Sequence, residues 1–135
     1  MEISFSIDGK PFGKERPRPN RTGHGVYTPE RTKMYEYKVA QSASLAFFDE
    51  PLDSDIRVCI SAYFGIAKSD SKRKKQAKIS GEIRPARTPD ADNIAKAVLD
   101  GMNGVVYKDD KQVIELKVTK QYAEEPRVDV TIEEI

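Results

Sequence analysis

Asp90-Ala91-Asp92-Asn93 stands at the mouth of a predicted helix, and Asp109-Asp110 follows about seventeen residues later. Carboxylates one residue apart, joined by another from a separate segment, offer a hard divalent cation oxygen donors, close spacing and excess negative charge. Grouped acids repel one another and are stabilised by a positive charge among them. Lys96 lies one helical turn beyond Asp92, facing the same solvent space, where its ammonium could neutralise charge building on a reacting phosphate. Asp100, a further turn along that stripe, is either a partner that orients Lys96 or one rung of an ordinary i,i+4 ladder. Capping and turn formation explain one of Asp90 and Asp92 but not both, and give Asp109-Asp110 a plain structural role beside the chemical one. In strand geometry neighbouring side chains point opposite ways, so one of Asp109 and Asp110 is expected to face the site. An EF-hand loop also begins D-x-D, but Ile94, Ala95 and Gly101 occupy the positions where it requires an Asp or Asn, a Gly and a Glu.

Charge is segregated along the chain. The net charge is only +1, so no global field draws the protein to a polyanion. Between Lys10 and Lys38, however, eight Lys/Arg face three Asp/Glu, and between Lys68 and Arg87 eight face two. The last third is acidic. An acidic metal site set in a basic surface points to phosphodiester chemistry on nucleic acid. Lys14, Arg16, Arg18, Arg84 and Arg87 are the candidates to grip phosphates, so binding should weaken steeply with salt. An RNA-binding module is disfavoured because no strand carries the aromatic pattern such modules stack bases on. One cysteine, Cys59, and one histidine, His24, exclude an internal disulfide and the usual zinc ligand sets. Cys59 sits in an apolar alternating run and reads as a reduced, buried thiol. No apolar run approaches eighteen residues and no leader is visible, so a cytoplasmic protein without membrane or organic cofactor is expected.

The elements that must position these residues follow from periodicity. Ile3–Ile7 alternates and ends at Asp8-Gly9, a half-buried strand and a turn. Residues 10–27, rich in proline, glycine and basic side chains, read as a long loop without regular structure. Thr28-Pro29-Glu30 should start a helix, with Thr28 as cap, running to about Phe48. Ile56 to Phe64 alternates as a second strand. The Lys-rich stretch 68–80 leaves room for a short exposed helix. Asp92 to Met102 forms the next helix, with Asp90 before its cap, Asp92 at it, and Asn103-Gly104 as its stop. Strands are expected from Val113 to about Tyr122 and over Val128–Ile132. The 135 residues fit one domain. The order is β-α-β-α-β-β, an α+β, two-layer arrangement in which a small mixed sheet is packed by helices.

The run from Pro89 to Asp100, continued by Gly104 to Val113, resembles the RusA family of Holliday junction resolvases. Its pattern is D-x-D-N-x-x-K-x-x-x-D, a short spacer, then D-D-x-Q-V. Gly9-Lys10-Pro11, Arg16-Pro17-Arg18 and Tyr27-Thr28-Pro29 are similar as well. A dozen positions at fixed offsets is far more specific than a lone D-x-D. The resemblance implies a RusA-like fold and a homodimer that cuts two opposed strands of a four-way DNA junction symmetrically. It implies Mg²⁺ (with Mn²⁺ as the alternative) held by Asp90, Asp92 and Asp110, with Lys96 as the essential lysine and Asp100 and Asp109 in support. The rival expectation is a branched-DNA-binding protein whose acids only order its loops.

Overall fold

The computed structural model describes residues 1–135. β1 (Glu2–Asp8), β4 (Ile56–Gly65), β5 (Val113–Ala123) and β6 (Arg127–Glu134) form one sheet in the order β1-β6-β4-β5, and β2 (Arg18–Pro19) pairs with β3 (Val26–Tyr27) as a small separate hairpin. Both β1 and β4 run antiparallel to β6, whereas β4 and β5 run parallel. Three helices complete the chain: α1 (Glu30–Ala46), α2 (Lys72–Ser80) and α3 (Ala91–Met102). The α+β class and the mixed sheet are as the periodicity implies. Parallel neighbours need a crossover, and here the crossover from β4 to β5 carries α2, α3 and both acidic motifs.

Strand alternation sets the two layers. Ile3, Phe5 and Ile7 lie opposite Ile132, Val130 and Val128, which in turn lie opposite Val58, Ile60 and Ala62. Cross-strand partners point to one face, and these residues are all buried with Val39, Ala43, Ile94, Val98 and Met102 from the helices. The opposite face is polar. There Ser6 donates to Asp129 at 2.6 Å, Arg127 lies 4.1 Å from the Tyr63 ring, and Arg57 pairs with Glu115 and Glu133. Cys59 belongs to this polar face and is half-buried, not enclosed as its apolar neighbours in sequence imply.

Several expectations need correction. The basic segment 10–27 is not wholly irregular. Glycines at positive φ, Gly23 and Gly25, turn the chain, and Asn20 closes the turn through its backbone N–H to Gly25 and its side chain to His24, so β2 and β3 can pair. The Lys-rich stretch does hold the short exposed helix it leaves room for, because Ser71 accepts from the Lys74 N–H and Gly81 ends it at φ 89°. The order of elements is therefore β-β-β-α-β-α-α-β-β. Thr28 does not cap α1. Pro29 holds the capping position without a side-chain bond, and the helix stops at Ala46. Asp90, not Asp92, is at the capping position of α3, and Asp92 is in its first turn.

α1 and α3 pack at backbone contact. A Cβ placed on Gly101 would lie 2.6 Å from Val39 Cβ and 3.0 Å from the Glu36 carbonyl oxygen. Only a glycine permits that approach, and it sets how α3 lies across the sheet.

Candidate active site

α3 presents its apolar side, Ile94, Ala95, Ala97, Val98, Gly101 and Met102, to the core. The remaining stripe carries Asp92, Lys96 and Asp100 outward, in line with helical spacing. The start of the helix is fixed from below. A Cβ on Gly13 would lie 2.7 Å from Pro89 Cβ, and the Lys14 N–H donates to the Asn93 carbonyl at 3.0 Å. Asp90 is exposed, and its carboxylate makes no capping hydrogen bond. An Asp at a helix start normally accepts from the first-turn N–H groups. This one leaves its oxygens for another partner.

At the other end of the stripe, Asp100 accepts from Lys14 Nζ at 2.5 Å, and the same ammonium donates to Glu36 at 2.9 Å. Burial pulls the Lys14 pKa down, but the hydrogen bonds and charges of Asp100 and Glu36 outweigh it and hold the group above the ordinary lysine value. This triad ties the N-terminal loop to α1 and α3. Asp100 is thus engaged by Lys14, not by Lys96, and Lys14 lies between two carboxylates.

Asp109 and Asp110 lie ahead of β5, not within it. Asp109 accepts from the Lys111 N–H and, with Gln112, forms a reciprocal capping box around a single 3₁₀ turn, Asp110–Gln112. The Lys111 amide, then a hydrogen bond with Asp110, holds the Asp109 carboxyl below its usual range. Asp110 is half-buried. Burial, its hydrogen bond with Asp109 and the charge of Asp100 raise its pKa, and Lys96 acts in the opposite sense. Asp110, from a separate segment, thus feels the charges of both Asp100 and Lys96.

Neither Asp90 nor Asp92 is among the charges that shift Asp110, and no three carboxylates gather closely enough to enclose an ion. Asp90 and Asp92 stand at the start of α3, and Asp110 comes from the separate turn ahead of β5. Eight residues of helix separate Asp92 from Asp100, roughly 12 Å of rise, so the two mark opposite ends of the stripe on α3. The donors themselves suit a hard divalent cation: they are all carboxylate oxygens, Asp90 is unclaimed, and Asp110 is crowded by negative charge.

Arg16, Arg18, Arg84 and Arg87 are exposed. Arg18 approaches Glu15 at 3.5 Å, Arg84 reaches the Gly81 carbonyl at 3.4 Å, and Arg87 lies 6.0 Å from the Phe64 ring.

The family model for the endodeoxyribonuclease RusA matches residues 8–133. The chain belongs to the RusA endodeoxyribonuclease family. It is also 37% identical over 137 residues to an uncharacterized protein, YqaN, of Bacillus subtilis (strain 168), an alignment covering 98% of this chain and 96% of the relative. The RusA match takes in both acidic motifs, Lys96 and the N-terminal basic segment.

Gln112, which the D-D-x-Q-V pattern contains without a stated role, and Tyr107 and Glu36, to which the sequence assigns no role, support the site. The Gln112 amide donates to the carbonyls of Leu52 and Ser54 at 2.9 and 3.0 Å, and its oxygen accepts from the Asp109 N–H. Tyr107 is fully buried and donates to the Leu99 carbonyl at 2.5 Å. Burial first, then the charges of Asp110, Asp100 and Asp109, drives its phenol pKa far up, so it remains a neutral prop beneath the acids. The D-x-x-Q spacing of a capping box was the available signal for Gln112. Gln112→Leu should lose about 2–3 kcal/mol of stability at roughly 1 kcal/mol per hydrogen bond. Chemical denaturation would measure this, and an unchanged midpoint would remove Gln112 from its supporting role.

Proposed function

We propose that the protein is a Mg²⁺-dependent, structure-specific endodeoxyribonuclease that resolves four-way junctions in DNA recombination and repair by paired, symmetric cuts. What supports this reading is the match to the RusA family over residues 8–133, which takes in an exposed, uncapped Asp90, the Asp92–Lys96–Asp100 stripe of α3 and the half-buried Asp110. Asp90, Asp92 and Asp110 would hold Mg²⁺ or Mn²⁺, which when bound polarises a phosphate and lowers the pKa of an attacking water. Lys96, exposed on the stripe, offsets the charge that develops on the phosphate oxygens. Asp109 keeps Asp110 oriented, and Asp100 anchors the base of the stripe through Lys14. Arg16, Arg18, Arg84 and Arg87 hold the backbone of the DNA by its phosphates.

A homodimer matches the two-fold symmetry of a junction. The surface that supports it is the outer side of α1 and its exit, where Met34, Tyr37, Leu45 and Phe48 are 64 to 86% exposed. Apolar groups aligned on one side of a helix call for a covering surface. Leu45→Glu with Phe48→Glu should convert a dimer to a monomer by light scattering and uncouple the two cuts; an unchanged mass would place the interface elsewhere.

The deciding experiment is a cleavage gel on a synthetic four-way junction labelled on each strand, with flap and linear duplex alongside. The proposal expects paired nicks at symmetric positions in Mg²⁺ and none in EDTA. Tight junction binding with no nicks in Mg²⁺ or Mn²⁺ would select the non-catalytic DNA-binding alternative. Faster cutting of flaps would reassign the substrate.

A further inference from the structure

A basic track leads away from the acid stripe to α2. Three shallow depressions of about 320, 340 and 510 Å³ share walls in sequence. The first holds Asp90, Asn93, Lys14 and Arg31, and is joined to the second through Thr88 and Pro89. The second is lined by Lys10, Lys78 and Arg87 and is joined to the third through Ile66. The third is lined by Lys68, Lys72 and Lys75, with Glu124 as the one carboxylate on its wall.

α2 itself is a poor structural helix. None of its residues is buried, and its sequence KRKKQAKIS contains no acid. Nine residues cannot sustain a helix on their own. It is held by its two caps and by Asp70, which pairs with Lys78 at 2.5 Å and Lys74 at 3.7 Å, while Lys78 also covers the Tyr122 ring at 4.7 Å. Lys72, Arg73 and Lys75 have no acidic partner, nor have Lys68, Lys10 and Arg87. Four cations in succession, 72–75, occupy the positive end of the helix dipole, where stability alone favours acids. Local rules are broken in this way where a site is made for a ligand.

We propose that this track and the Lys68–Lys72–Lys75 face of α2 dock a duplex arm of DNA, carrying the strand from the acid stripe outward. The inference rests on the junction-nuclease reading and extends it to a second contact surface. Charge complementarity and continuity with Asp90 select the occupant. The aromatic rings along the track are covered: Phe64 is 6% exposed beneath Arg87 and Lys120, and Tyr122 lies under Lys78. Single-strand binders need open rings for base stacking, so the surface fits the phosphates of a duplex.

The test uses the full chain with Lys68→Gln, Lys72→Gln and Lys75→Gln combined. Binding to a long-armed junction is followed against salt with Ca²⁺ in place of Mg²⁺ to suppress cutting. Three lost phosphate contacts should flatten the slope of log K against log salt by about 2.7, at roughly 0.9 per phosphate. Trimming the arms to a few base pairs should bring parent and variant together. The triple Lys→Arg variant should keep the parental slope, and the cleavage rate at saturating protein should be unchanged in both. An unaltered slope on long arms, in a variant with parental circular dichroism, would overturn the proposal. So would a loss confined to single-stranded oligonucleotides, or one that persists undiminished on trimmed arms. Because the readout is binding, a protein that binds through α2 yet never nicks DNA would defeat the nuclease reading while sustaining this one.

Discussion

Asp110→Asn will bind a four-way junction as tightly as the parent chain and cut it at least about a hundredfold more slowly. The substitution keeps the volume and most of the hydrogen-bonding capacity of the side chain, and the 3₁₀ turn is capped by Asp109 and Gln112, not by Asp110. The fold should therefore be retained. What changes is the charge of a half-buried carboxylate that feels both Asp100 and Lys96. A cation ligand lost from a phosphoryl-transfer site removes several kcal/mol of transition-state stabilisation, and each 1.36 kcal/mol is a factor of ten in rate. Single-turnover cleavage with protein in excess would read the chemical step, and gel shift in Ca²⁺ would read binding. Asp109→Asn is the internal comparison. Its side chain is occupied in capping, so its effect should fall mainly on stability. Equal cleavage by Asp110→Asn and the parent would remove Asp110 from the catalytic set.

Gly101→Ala should give the largest loss of stability of any single methyl group added to the chain. The new Cβ would meet Val39 at 2.6 and 2.8 Å and the Glu36 carbonyl at 3.0 Å. Val39 is branched at the point of contact and the carbonyl is backbone, so neither can swing aside. Overpacking of this kind costs about 1–3 kcal/mol or more. That outweighs the gain of up to about 1 kcal/mol that alanine brings to a helix interior. Scanning calorimetry should show a clear fall in Tm, and Val39→Ala in the same chain should restore part of it by opening the space. A rise in Tm would mean that α1 and α3 are not in backbone contact. Glu36, which holds Lys14, is three residues from Val39 on α1, so the displacement should also loosen the Lys14–Asp100 link and lower cleavage modestly.

The elements that follow hydrophobic period were legible in the sequence to within a residue or two at most ends. The alternation of Ile56, Val58, Ile60, Ala62 and Phe64 is that of a strand buried on one side, and the α3 stripe follows from spacing alone. What escaped was decided by local side-chain chemistry or by distant contacts. Room for a short helix near 68–80 was legible, but its bounds depend on Ser71, Gly81 and Asp70, which override a run of like charges. The hairpin in the N-terminal loop depends on Asn20 and two glycines. Lys14 looked like one more basic residue of a DNA-binding loop, because nothing along the chain says that Glu36 and Asp100 will flank it. For the site, the types and order of Asp90, Asp92, Lys96, Asp100 and Asp110 were readable. The 3₁₀ turn that carries Asp110 was not, since it depends on the Asp109–Gln112 capping box.

The strand order has a consequence for synthesis. β6 lies in the interior of the sheet, between β1 and β4, although it follows every other element along the chain. A growing polypeptide that has passed β5 but not reached Arg127 has β1 and β4 with no strand to join them, and Val128, Val130 and Ile132 are missing from the shared core. The acid-bearing crossover then hangs from a two-stranded fragment. While still on the ribosome the chain should be harmless to nucleic acid, and trimming a few residues from its final strand would remove a keystone, not a loose end.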